Sequence, residues 1–405
     1  LIIKMAIVKP FKAWRPEIDV AENVISVPYD VINTKEAREM AVGKPNSFLH
    51  VIRPEIDFPP SVDIHSEDVY ARGKKNLEAL LNSGFFMQES REALYLYKLI
   101  WRGRSQSGIF GCVSVQEYDE EIILKHELTR PDKEDDRTKH ILTQQAHAEP
   151  VMITFDDKVG ISEMMKEIEH ENPIYQVEVD DVKHMIWKID DTSSFDSAFA
   201  KVNHLYIADG HHRCASASRT AEIMKNNNPD HTGNEEYNYF PAVVFPKQQM
   251  DILSYNRIVY TLPDGFFNQL NEKFELTKTQ NPEPEVKGTI CIYIDKNWYS
   301  LSLPESKKTD VASGLDVARL QEHLLEPLLG ITNQRTDKNL FFVGGIRGTG
   351  ELEHLVDSGE ADMAISMYPT NIQELVDVSD AGLLMPPKST WFEPKLRSGF
   401  LVHTF

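Results

Sequence analysis

The sequence predicts a mixed α/β fold of the α+β kind, and three observations predict it. Short apolar runs rich in β-branched and aromatic residues are interleaved with stretches whose apolar residues recur at helical spacing. At 202–224, an apolar strand-like run passes through Asp209-Gly210 into a segment with a small apolar body (Cys214, Ala215, Ala217, Ala221, Ile223, Met224), which is a strand–turn–helix. With 405 residues, the chain is long enough for two or three domains with substantial cores.

Taken in order, Ile7-Val8 and residues 24–27 have strand character, and Asn33-Thr34 opens a helix through Ala37 and Met40. The apolar run 48–52 reads as a strand stopped by Arg53-Pro54. Residues 67–83 have helical spacing (Val69, Ala71, Leu77, Leu80, Leu81), closed by Gly84. Residues 94–101 and 107–118 read as strands joined by a turn at Arg102-Gly103-Arg104. Thr129 is placed to cap a helix that has Pro131 in its first turn. Then come a strand at 150–155, a helix at 161–168, one or two strands over 176–189, and a helix at 195–199 leading into the strand at 202–208. Residues 226–238 form a polar loop, followed by strands at 239–246 and 253–259. A hairpin around Asp295-Lys296-Asn297 follows. After it come an amphipathic helix at 315–329, a strand at 340–345, a short helix at His354-Leu355, a strand at 361–368 and a helix at 372–379. These last elements make a C-terminal α/β region. The expected domains are 1–245, with an inserted β-rich and helical segment at about 60–190, and 246–405, which contributes a Pro-Pro-Lys-Ser-Thr loop.

Charge narrows the function. There are 43 basic and 63 acidic residues, a net charge of −20, which argues against a broad nucleic-acid-binding surface. Cys112, Cys214 and Cys291 are odd in number and far apart, without metal-knuckle spacing, so a reducing cytoplasm is expected. No apolar run reaches the roughly 18 residues of a membrane span. Leu1–Lys4, ahead of Met5, read as upstream sequence too short for a signal peptide.

Four stretches carry candidate chemistry. At 209–213, Gly210 lets the backbone approach an anion at a helix N-terminus. Arg213 can grip phosphate bidentately, His211 and His212 add donors or protons, and Asp209 can hold a divalent metal or act as a base. The plainer reading is a strand-to-helix turn with Asp209 as N-cap and the histidines on the surface. The second stretch is 126–140. On a helix, Lys133, Arg137, His140 and Gln144 share one face that suits a phosphate, with Arg130 just before it. His126 and Glu127 have the chemistry of a base or metal ligand beside that clamp, although the spacing is not that of HExxH. The plainer reading is a solvated, charge-laced helix. The third is the loop at 385–395, where Lys388, Ser389 and Thr390 offer an ammonium, two hydroxyls and backbone donors. The alternative is a rigid strap with Trp391 and Phe392 packed on the core. Finally, Tyr29, Asp30, His50 and Arg53 stand at the ends of expected strands, as candidate substrate ligands.

The motifs VPYDVIN (from Val27), PNSFLHVIRPE (from Pro45), HELTRPDKEDDR (from His126), YIADGHHR (from Tyr206) and MPPKSTWFEPKLRSG (from Met385) together resemble a bacterial and archaeal domain-of-unknown-function family often labelled partition-protein-like. The resemblance runs through nearly the whole chain. DGHHR also resembles the signature of the free serine kinases of the ParB/sulfiredoxin superfamily. There the equivalent turn holds nucleotide phosphates: CTP in ParB, ATP in sulfiredoxin, and the donor for phosphorylating free L-serine in the kinases. The resemblance implies a ParB/sulfiredoxin-like core and a phosphate-transfer turn formed by Asp209, Gly210, His211, His212 and Arg213. For the kinases' upstream catalytic acid, Asp30, Glu127 and Glu55 are the candidates. The HELTR insertion and the C-terminal region depart from those small kinases.

The resulting expectation is a cytoplasmic, nucleotide- and Mg²⁺-dependent phosphotransferase using ATP or ADP and acting on serine or phosphoserine in serine metabolism, with a homodimer as the candidate assembly. Arg213 would hold phosphate and Asp209, with Glu127, the metal. His126, His211 and His212 would move protons or stabilise charge. Arg130, Lys133, Arg137 and His140 would clamp oxygens, and Lys388 would close the site. Two alternatives use the same residues. One is a ParB-type nucleotide switch without turnover. The other is a metal-dependent phosphatase or hydrolase built on His126, Glu127, Asp209 and His211.

Overall fold

The computed structural model describes residues 6–405, so the expected upstream segment Leu1–Lys4 lies outside the described residues. The chain divides into two compact units. The first comprises the chain up to Lys125, Thr129–Met250 and Pro394–Phe405; the second comprises His126–Leu128 and Asp251–Glu393.

The first unit is built on a nine-stranded mixed sheet. Across it run Ile123–Leu124, Leu205–Asp209, Val151–Phe155, Tyr239–Pro246, Arg104–Ser114, Leu94–Trp101, Val182–Ile189 and Tyr175–Val179, with Val8–Lys9 paired to Arg104–Ser114. Most pairings are antiparallel. The pairs Leu205–Asp209 with Ile123–Leu124 and Tyr239–Pro246 with Val151–Phe155 are parallel. The Leu94–Trp101/Arg104–Ser114 hairpin turns through Arg102 (φ 48°) and Gly103 (φ 75°), the left-handed pair that a two-residue turn requires. One sheet face buries Leu96, Ile109, Ile153, Leu205, Ile207 and Val244 against the small residues Cys214, Ala217 and Ala221 of helix His211–Asn227. Those small side chains let the helix lie close to the sheet. A second core gathers Phe48, Leu49, Val51 and Ile52 with Leu77 and Leu80 of helix Glu67–Leu81.

The second unit holds a six-stranded sheet in the order Thr277–Thr279, Asn297–Ser302, Thr289–Ile294, Met363–Met367, Tyr255–Val259, Leu340–Gly344, with every pairing antiparallel. Its hairpin turns at Asp295 (φ 48°) and Lys296 (φ 60°). The amphipathic helix is continuous over Asp316–Leu320, Gln321–Leu325 and Glu326–Leu329, with a π-helical middle.

The structure corrects four local expectations. Residues 24–27 are not a strand: Ile18–Val24 is a helix, and Ser26 makes only an isolated bridge to Ser398. The run 48–52 forms the helical turn Leu49–Ile52, because a short, wholly apolar run has no periodicity to separate strand from buried helix. The strand expected to reach 118 ends at Ser114, and Val115–Asp119 coils into a helix that buries Val115 and Glu117. Thr129 does not cap the next helix. Pro131 is its first residue and holds Arg130 extended (φ −100°, ψ 130°) as the N-cap, while the Thr129 hydroxyl donates to Glu134. Among the described residues no helix is long and apolar enough to cross a membrane, and the three cysteines are free and buried.

Candidate functional site

The site is assembled in the first unit around the strand-to-helix turn. Strand Leu205–Asp209 shifts register between Ile207 and Asp209, pairing Ile207 with Ile153 and Asp209 with Met152, so a bulge sets the direction of Asp209. Gly210 then takes φ 103° as N-cap of helix His211–Asn227. Arg213, one turn in, folds back beneath it: a Cβ on Gly210 would lie 3.0 Å from Arg213 Cζ and Nε. Only glycine meets both demands, the left-handed backbone and the guanidinium beneath it. Gly210→Ala is expected to cost about 1–2 kcal/mol from backbone strain alone, checked by urea unfolding. An unchanged midpoint would show that the turn relaxes freely.

Arg213 is 8% exposed. It donates to Asp209 Oδ2 at 3.0 Å and to the Pro150 carbonyl, and its Nη2 lies 4.0 Å from Asp30 Oδ2. Burial works against the charged guanidinium, but Asp30, Asp209 and Glu149 outweigh it and hold its pKa above the ordinary value. Lys395 Nζ stands 3.4 Å from the other oxygen of Asp209. Arg137 is the second buried guanidinium. It is bidentate to Asp136 Oδ2 (2.9 and 2.8 Å), donates to the Ile52 carbonyl and lies 4.3 Å from the centre of the Tyr29 ring. Glu149 accepts the Tyr29 N–H at 3.0 Å and the Ser398 hydroxyl at 3.3 Å. Burial raises its pKa, and the two arginines offset this only in part.

Arg137, His140, His147, Glu149 and Arg213 line a small cavity of about 30 Å³, room for a water-sized group. Arg213 Nε, His140 Nε2 and His147 Nε2 are buried without a hydrogen-bond partner among the described residues. Burial, then Arg137, lowers the His140 pKa to about 3, and burial with His403 keeps His147 well below its usual range. Both imidazoles are therefore neutral near pH 7. The arrangement offers fixed donors for a small oxyanion beside carboxylates that can take a cation or a proton.

Of the expected site residues, Tyr29, Asp30, Arg137, His140, Asp209, Gly210 and Arg213 come together here. His211 is buried in the first turn of its helix. His212 Nε2 accepts the Arg130 N–H at 3.1 Å, while the Arg130 side chain turns outward to Asp132 (2.8 Å). Lys133 is half-buried on helix Pro131–Gln144. His50 pairs with Asp57 (2.6 Å) and lines a different cavity. Arg53 pairs with Glu55 (3.1 Å), which also accepts the Thr34 hydroxyl. His126, Glu127 and Lys388 belong to the second unit. There the His126 carbonyl accepts the Met385 N–H at 2.8 Å, and Lys388, at φ 57°, holds Nζ 5.5 Å from the Tyr255 ring centre. Sequence reasoning missed Glu149, Lys395 and Asp136. Glu149 and Lys395 carry only a faint local signal, an acid and a base each beside a proline.

Fold and site together define a mixed α/β protein with a buried guanidinium–carboxylate cluster at a strand-to-helix turn. The chain belongs to the family described as "protein of unknown function (DUF1015)", whose model matches residues 8–318. No protein with a curated description matches it in sequence. Among solved structures it is similar to a conserved hypothetical protein from Pyrococcus furiosus (11% identity, 73% of this chain and 95% of that one, TM-score 0.39). It is also similar to a free serine kinase in complex with AMP (11%, 72% and 91%, TM-score 0.39) and to SbnI with a C-terminal truncation from Staphylococcus aureus (13%, 73% and 87%, TM-score 0.38). These likenesses are weak, and the chemistry considered below comes from this chain's own residues.

Proposed function

We propose that the protein is a nucleotide- and Mg²⁺-dependent phosphotransferase of the cytoplasm that moves phosphate to or from a small hydroxyl amino acid, serine or phosphoserine. The observation that carries this reading is Arg213. Its guanidinium is seated beneath Gly210 at the mouth of a helix, bonded to Asp209, and its Nε is buried without a hydrogen-bond partner among the described residues. Phosphoryl transfer asks a protein for positioning and charge stabilisation, and a fixed guanidinium at the N-terminal end of a helix supplies both. The surrounding carboxylates suit the rest of the chemistry. Asp209 and Asp30 are hard oxygen donors of the kind Mg²⁺ takes, and the ion would neutralise phosphate charge when bound. Glu127 is the other ligand expected for the metal. An amino acid carries both an ammonium and a carboxylate, and the cluster offers Glu149 and Arg137 as groups of opposite charge to each. The resemblance of DGHHR to the free serine kinases supports the same reading, with a ParB/sulfiredoxin-like core.

The test is phosphorus NMR of the protein with Mg²⁺, serine or phosphoserine, and each of ATP, ADP and AMP. The expected result is phosphate moving between nucleotide and amino acid, with the rate reduced at least about 100-fold in Asp209→Asn. Free phosphate alone would make the protein a hydrolase. Nucleotide binding with no turnover would make it a switch. Either outcome overturns the transferase.

A further inference from the structure

The motif PNSFLHVIRPE is not absorbed by the cluster around Arg213. Its residues Asn46, Ser47 and His50 instead line a separate cavity of about 360 Å³ in the first unit, completed by helix Glu67–Leu81 and Phe85. That volume lies within the range of small-molecule pockets.

The cavity has a polar and an apolar side. Asp57 is the hub of the polar side. One oxygen lies 2.6 Å from His50 Nδ1; the other accepts from Asn76 Nδ2 at 2.9 Å and faces Arg72 Nε at 3.2 Å. Asn76 also donates to the His50 carbonyl at 2.7 Å, which ties the helix to the motif. The Asp57 charge is thus matched and its oxygens are engaged. Arg72 approaches Asp57 most closely through Nε, and among the described residues its guanidinium has no partner besides Asp57. The Asn46 side-chain amide also has none among the described residues. The apolar side is Leu80 and Phe85, with Ala79 at the rim. The walls are preformed: Leu80 and Leu77 pack with Leu49, Val51 and Ile52 in one core.

We propose that this cavity is a second binding site, for a small organic anion: a carboxylate or phosphate ester on a short apolar body. A guanidinium whose Nε faces Asp57 can turn its terminal pair toward a ligand, the fork that planar and tetrahedral oxyanions accept bidentately, and the Asn46 amide adds a neutral donor. Leu80 and Phe85 would cover the apolar body.

Calorimetric titration of the full chain with benzoate, phenyl phosphate and, as the uncharged control, benzyl alcohol tests the proposal. At least one anion is expected to bind, and at least about tenfold more tightly than the alcohol. The stronger of the two assigns the carboxylate or the phosphate ester. Arg72→Gln should weaken the anion at least about tenfold. Ala79→Trp, at an exposed helix position, should block it by filling the mouth, while thermal unfolding shows both variants folded. Binding should persist in Asp209→Asn, so this site stands or falls apart from the transferase. No binding by either anion, equal binding of the alcohol, or binding indifferent to both variants overturns the proposal.

Discussion

Arg213→Met is expected to lower the free energy of unfolding by about 3–5 kcal/mol, because it removes one partner of a buried charge cluster and leaves the facing carboxylates with less compensation. Asp209 would lose its 3.0 Å partner, the Pro150 carbonyl its donor, and Asp30 and Glu149 the positive charge that faces them. The methionine matches the volume of the arginine stem, so the loss reports electrostatics rather than a cavity. Arg213→Lys separates charge from geometry. It keeps the charge but lacks the fork that reaches Asp209 and the Pro150 carbonyl together, so it should fall between wild type and Arg213→Met. Urea unfolding at pH 7 checks both. A loss below about 1 kcal/mol for Arg213→Met would show that water reaches the cluster and screens it.

The second large effect has the opposite sign. Glu117 is 5% exposed and accepts the Ile7 N–H at 3.1 Å. Burial pushes its carboxyl up to about 7, and the Ile7 bond offsets this only partly. An unfolded chain holds a glutamate at about 4.3, so the folded state binds the proton more tightly. The stability tied to that proton is fully present below about pH 4.3 and is lost as pH rises through about 7. Glu117→Gln keeps the acceptor for Ile7 and has no charge to bury. It is expected to be up to about 3 kcal/mol more stable than wild type at pH 8, with little difference at pH 4. Urea midpoints at the two pH values measure this. Equal stability at pH 8 would mean that the buried carboxylate is solvated by a route other than Ile7.

How much was legible before the structure depended on how locally each feature is determined. The helix His211–Asn227, the helix opened at Asn33-Thr34 and the hairpin at Arg102-Gly103 each rest on residues a few positions apart, and each stands where its residues predicted. The run 48–52 was misread because apolarity alone does not choose between strand and helix; packing against Leu77 and Leu80 decides it. The strand at 107–118 overran for a related reason: Val115 and Tyr118 keep strand-like chemistry where the chain already coils.

The chain's own order of residues determined the mixed α/β class, the strand-to-helix turn at 209–213 and the acidic balance, since these depend on composition and on neighbours along the backbone. Tertiary structure alone decided which charges share a site. Asp30, Arg137, Glu149, Arg213 and Lys395 are scattered along the chain, and they meet only because the sheet order and the return of Pro394–Phe405 to the first unit bring their segments together. It likewise sent His50 to Asp57 and a separate cavity. Local propensity acts over a few residues, whereas a buried charge must find its partner across the whole fold, because an uncompensated charge in the interior costs more than any local preference supplies.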